Sequence, residues 1–168
     1  MTYIIILLAL LVIISPLMWL RVSPRQKIII SMRKEASRLG LMVKLSAAGD
    51  ARLDEKYIDC ITYSLPWQLD SIASSQPNME NWLLVRGSKR GDASIWPHWN
   101  WLGRKCNKEL MNEIGSLLPT LPADISALKA NPEGVSVFWR EHGKISDISI
   151  IHKALVLLKK SIRSDTNE

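Results

Sequence analysis

From Tyr3 to Leu20 the chain runs without a charged side chain, Tyr-Ile-Ile-Ile-Leu-Leu-Ala-Leu-Leu-Val-Ile-Ile-Ser-Pro-Leu-Met-Trp-Leu, and Arg21 follows at once. As a helix at ~1.5 Å per residue the run is about 27 Å long, close to the ~30 Å hydrocarbon core of a bilayer. Three readings compete for it. A cleaved signal peptide needs a basic leader and a small-x-small cleavage site, but only Met1 and Thr2 precede the run and Met18-Trp19-Leu20-Arg21 ends it. The second reading is a buried core helix, but a run apolar on every face suits lipid better than a one-sided core. The remaining reading, an uncleaved transmembrane anchor over 1–20, is the one the pattern predicts. Pro16 would bend that helix, with the Ser15 hydroxyl able to take up a freed carbonyl's neighbourhood. Tyr3 and Trp19 would sit at its two ends, where aromatic rings favour the headgroup region.

Charge sets the expected orientation. Residues 21–44 carry Arg21, Arg25, Lys27, Arg33, Lys34, Arg38 and Lys44 against Glu35 alone, which equals the whole chain's net charge of +6. Cationic residues beside a span mark its cytoplasmic end. The expectation is therefore a bacterial inner-membrane protein, single-pass, with its N-terminus outside and its C-terminal domain cytoplasmic. Arg21, Arg25, Lys27, Arg33, Lys34 and Arg38 would meet anionic headgroups of the lipid bilayer, each worth roughly 1 kcal/mol. Because the rest of the chain is electrically balanced, the high pI gives no reason to expect a nucleic-acid partner.

Ser23-Pro24 reads as a helix start and Gly40 as its stop, so 21–40 is a basic, amphipathic, juxtamembrane helix. Ile29, Met32, Ala36 and Leu39 form its apolar stripe, and it could lie on headgroups, pack on the domain, or do both. Strands are predicted over 41–45, 57–65 (ended by Pro66), 82–86 and 93–101, the last interrupted by Pro97 and so at an edge. The stretches 46–56 and 66–80 read as loops, and 87–91 as a hairpin turn. Residues 105–118 have helical spacing and stop at Pro119. A β-hairpin is expected from 124–130 and 134–141 about Asn131-Pro132-Glu133-Gly134, with Val135, Val137 and Trp139 on one face. A long C-terminal helix with a stripe of Ile148, Ile151, Leu155, Leu158 and Ile162 follows, capped by Ser146. The last five residues, 164–168, read as a disordered tail. Together these predict an α+β fold, an N-terminal transmembrane helix followed by a small antiparallel sheet packed with helices, the soluble part being one domain over 41–163.

Seven tryptophans accompany a single Phe. Trp96, Trp99 and Trp101 cluster about His98 and are the candidate partner-binding residues. At strand spacing Trp99 and Trp101 would share one face, Trp96 and His98 the other. Exposed rings could stack on bases, sugars or a partner's side chains, and buried rings would fill the core. Cys60 and Cys106 show no Cys-x-x-Cys spacing and are expected as free, buried thiols in a reducing compartment. His98, His142 and His152 form no ligand pair, and 87–91 lacks phosphate-loop spacing. The residues thus nominate no catalytic residue, no metal and no cofactor.

Ser15-Pro16-Leu17-Met18-Trp19-Leu20, Ser23-Pro24-Arg25-Gln26, Leu121-Pro122-Ala123-Asp124 and Val137-Phe138-Trp139-Arg140-Glu141 resemble an uncharacterised family of single-pass inner-membrane proteins of gamma-proteobacteria. Some of its members carry the label preprotein translocase subunit YajC. The resemblance implies a bacterial inner membrane and carries over no site residue. The function expected is that of a non-enzymatic, membrane-anchored accessory or adaptor protein acting by protein–protein contact, with a membrane-protein partner. The alternative is a tethered ligand or nucleic-acid binding module using the Trp cluster.

Overall fold

The structure, a computed structural model, describes residues 3–6, 23–47, 49, 60–67 and 81–165. Seven strands form one fully antiparallel sheet: β1 (Met42–Ser46), β2 (Cys60–Pro66), β3 (Trp82–Arg86), β4 (Asp92–Ala93), β5 (Trp99–Trp101), β6 (Ile125–Asn131) and β7 (Gly134–Trp139). Their order is β1-β2-β7-β6-β3-β5-β4. Three helices, α1 (Pro24–Arg38), α2 (Lys108–Leu117) and α3 (Ile145–Asp165), complete it, and a 3-10 turn, Leu118–Thr120, follows α2. The described chain is therefore α+β.

Among the described residues no helix is long and apolar enough to cross a membrane. The transmembrane helix, and the single-pass inner-membrane placement drawn from it, are corrected on this finding. The physical reason is that length and apolarity do not coincide: α3 has 21 residues but carries Asp147, Lys153, Lys159, Lys160 and Arg163. Of the apolar run, Tyr3 to Ile6 are helical. The expectations on Pro16, Trp19 and Arg21 lie outside the described residues.

The β6–β7 hairpin is the centre of the sheet. The Asn131 side chain accepts from the backbone N–H groups of Glu133 (3.2 Å) and Gly134 (3.1 Å), which closes the turn. Gly134 is required there, because a Cβ would lie 2.3 Å from the Leu65 carbonyl oxygen of β2. Register follows from the hydrophobic pattern. Tyr63, Val137 and Leu128 align across β2, β7 and β6, and all three are buried under the helices.

All six residues of β7, an inner strand flanked by β2 and β6, are buried. On one face Trp82, Leu84, Trp101, Leu128 and Trp139 meet Met32 and Ala36 of α1, Leu110 and Ile114 of α2, and Ile148, Ile151, Leu155 and Leu158 of α3. A smaller cluster of Cys60, Val85, Ala127 and Phe138 lies on the other. Gly49, in the connection after β1, sits against it, a Cβ there falling 2.7 Å from that of Ala127.

Several expected boundaries shift. The predicted strand over 93–101 is two short strands, separated because 94–98 turns and His98 adopts φ 68°. Residues 87–91 are not a tight hairpin turn. They carry the chain past β5 to the edge strand β4, held by the Asn100 side-chain amide, which donates to the Ser88 carbonyl at 2.7 Å. Ser146 lies inside α3 and does not cap it. Asp147 reaches back to the Lys144 N–H at 2.8 Å instead. Ser164 and Asp165 are helical, and the rest of the expected tail, 166–168, lies outside the described residues.

Ile151 is fully buried and Leu157, on the same helix, is half exposed. Ile151→Ala is expected to lower unfolding stability by about 2–5 kcal/mol, and Leu157→Ala by under ~1 kcal/mol. Urea denaturation of the two variants checks this contrast.

Candidate functional site

Helix α1 starts with a capping box, Ser23 accepting from the Gln26 N–H while the Gln26 side chain accepts from the Ser23 N–H. Its apolar stripe docks through Met32 and Ala36. Two turns apart, Arg25 and Arg33 reach the segment between β7 and α3. Arg33 Nε donates to Glu141 Oε1 at 2.9 Å and its Nη2 to Oε2 at 2.7 Å, a bidentate pair. The Tyr63 hydroxyl donates to the same Oε1 at 2.5 Å. Arg25 donates to the Gly143 carbonyl at 3.1 Å and to the Glu141 carbonyl.

Glu141 is held at φ 57°, a left-handed conformation that reverses the chain after β7. Its side chain is 4% exposed, against 43% for Arg33, so the pair spans the boundary of the core. Asp124 anchors the same segment by accepting from the His142 N–H at 2.8 Å. Gly143 admits no side chain, since a Cβ would fall 2.1 Å from Asp147 Oδ2 and 2.8 Å from the Trp139 ring. Burial, then the neighbouring Glu141 carboxylate, pushes the Tyr63 hydroxyl far above its ordinary pKa. The hydrogen bond to Glu141 raises that of Arg33. The carboxylate is occupied by three donors and its charge is matched, so the constellation is a structural clamp joining α1 to the sheet.

The six cations nominated for a membrane surface divide. Arg25 and Arg33 face the protein, and Arg38 chelates Glu35 within its own helix at 2.5 and 2.8 Å. The Arg38 hydrogen bond holds the Glu35 carboxyl below its ordinary range. Lys27 and Lys34 are exposed. Arg21 lies outside the described residues. The helix thus packs on the domain, one of the two placements its stripe allows.

The structure brings Trp96, Trp99 and Trp101 together, but on the core side. Trp101 and Trp99 are buried, and Trp96 packs 6.0 Å from the Trp101 ring. Trp82 meets Trp101 edge-on at 5.8 Å. The expected split, with Trp96 opposite Trp99, fails because residues 96–98 turn where a strand would alternate. His98 is exposed. Cys60 and Cys106 are both buried, in separate clusters on opposite faces of the sheet. Among the described residues no group of three or more His, Cys, Asp or Glu side chains converges.

Sequence reasoning missed Glu141. A usable signal existed: one carboxylate directly after an apolar strand, and two arginines eight positions apart on the helix that could reach it.

The exposed feature that stands out is β1. Among the described residues it ends the sheet, paired on one side to β2, and it displays Met42 at 48% and Leu45 at 65% exposure. The opposite edge, β4, is two residues long, and Asp92 there pairs with Lys105 at 3.2 Å. Short, charged edges resist further pairing, and longer ones with apolar side chains invite it. Lys27, Lys34 and Lys44 are exposed on α1 and β1, and the helix runs directly into that strand through Gly40. Compared with protein-family models, curated proteins and solved structures, the chain finds no match.

Two outcomes follow for the clamp. Arg33→Ala should destabilise the fold by about 3 kcal/mol, because it strands a buried carboxylate, as read from the urea midpoint. For Tyr63 the folded-state pKa is raised, so its stabilisation is complete below pH ~10 and is lost as pH rises beyond, at about 1.4 kcal/mol per pH unit. Tyr63→Phe should remove that alkaline slope in unfolding measurements between pH 8 and 11.

Proposed function

We propose that this protein is an adaptor, a protein–protein interaction module that takes an extended, acidic segment of a partner along β1. The carrying observation is the asymmetry of the two sheet edges described above. A strand added at β1 would hydrogen-bond through its main chain, while side chains set specificity. Met42 and Leu45 offer apolar contact on alternate faces, and the exposed Lys44 between them supplies positive charge. A second copy of the chain suits this edge poorly, since antiparallel self-pairing centred on the strand sets Lys44 opposite Lys44. The reading based on the Trp cluster has less support, because the Trp99 and Trp101 rings are committed to packing.

The test introduces a photo-crosslinking residue at Lys44 in living cells and identifies adducts by mass spectrometry. A discrete partner, joined through an acidic extended segment and lost with Leu45→Lys, is the expected result. Leu45→Lys should leave the thermal midpoint within about 2 °C, since the site is exposed. Crosslinks that persist unchanged in Leu45→Lys, or arise solely between copies of this chain, overturn the proposal.

A further inference from the structure

The sheet face turned away from the helices holds a hollow of about 190 Å³ between β1 and the β6–β7 hairpin. Pairing places its floor in rows. Met42, Ser64, Ser136 and Lys129 follow one another across β1, β2, β7 and β6, and Lys44, Thr62 and Phe138 form the adjacent row. All seven line the hollow.

The chemistry of this lining is unusual for a sheet surface. The Ser136 hydroxyl donates to Ser64 Oγ at 2.9 Å, which leaves the Ser64 O–H to donate outward. Thr62 Oγ1, beside them, is buried without a hydrogen-bond partner. Lys129 is half-buried on an inner strand. Among the described residues neither it nor Lys44 has a carboxylate partner. Three strand spacings and one row along the strands separate their Cα atoms, about 16 Å, and each ammonium rides a stem of roughly 6 Å. The two charges can therefore converge above the serine pair. Met42 and Phe138 add an apolar wall, and Glu133, in the β6–β7 turn, is the single carboxylate of the lining, so the two lysines leave it net positive.

We propose that this hollow binds a small organic carboxylate. Lys129, Lys44 and the Ser64 hydroxyl hold its oxygens, and Phe138 and Met42 flank its carbon body. Size supports this class, since a protein cavity of about 150 Å³ accommodates benzene. The apolar wall favours an organic acid over inorganic phosphate. The hollow shares Met42 and Lys44 with the docking edge, but Lys129 lies on β6, three strands inward of β1 and about 14 Å away, beyond the reach of a glutamate on an added strand, so variants at Lys129 and Ser64 test the hollow separately from docking.

Isothermal titration of the full-length protein with benzoate tests it, with benzyl alcohol and inorganic phosphate as controls. Saturable one-site binding of benzoate is expected, with both controls at least tenfold weaker. Lys129→Gln should weaken benzoate at least tenfold, the loss of one charge-assisted contact, and Lys129→Arg should retain it within about threefold. Ser64→Ala, which removes one oxygen from a strand position, should weaken it severalfold and carries the test if Lys129→Gln does not fold. Absence of saturation, phosphate binding as tight as benzoate, or benzoate affinity indifferent to both Lys129→Gln and Ser64→Ala overturns the proposal.

Discussion

The ion pair between Arg33 and Glu141, shared with Tyr63, is the constraint on which the arrangement of this fold depends. It ties three elements distant in sequence: the first described long helix, the second strand, and the segment leading into the last helix. A carboxylate withdrawn from water is costly unless its charge and lone pairs are matched. Glu141 therefore can be buried only when α1 is docked and β2 is in register. The left-handed turn at Glu141 and the closely packed Gly143 add the same requirement from the backbone side. The clamp makes the helix layer and the sheet interdependent, where apolar packing alone would let α1 slide.

This use of charge changes the meaning of the basic segment. Arg25, Arg33 and Arg38 are spent on carbonyls and carboxylates of the protein itself. Lys27, Lys34 and Lys44 remain as the outward charge next to the open edge strand. The net positive charge of this region is a property of composition, whereas its direction is a property of packing. Likewise, of the Trp cluster that the sequence offered either for partner binding or for filling the core, Trp99 and Trp101 are buried in the core. What is left at the surface is less conspicuous: Met42 and Leu45 on an edge strand, and a hollow lined by serine, threonine and lysine on the face away from the helices.

Local patterns translated well into local structure. The Ser23-Pro24 start of α1, the apolar stripe of α3 and the Asn131-Pro132-Glu133-Gly134 turn all depend on neighbours within a few residues, and each appears near its expected position. The strand order did not follow from the same information. β2 pairs with β7 and β3 with β6 because the central hairpin inserts between elements made earlier in the chain, a long-range choice that no local spacing encodes. The double-sided burial of β7 was hidden for the same reason, since alternation of Val and Ser within it imitates a one-faced strand. Hydropathy over 3–20 predicted a spanning helix, and among the described residues no helix meets that condition.

By itself, the sequence determined the helices about 24–38, 108–117 and 145–165, the turn at Asn131–Gly134, and that positive charge concentrates before residue 45. These are consequences of backbone preference and side-chain periodicity. Tertiary structure alone decided that Glu141 is buried, which arginines it recruits, that the tryptophans face inward, and that β1 is the open edge beside a basic, hydroxyl-lined hollow. Each of those depends on which distant groups become neighbours, and the energy of a buried charge or an unpaired strand edge exists only once the neighbours are in place.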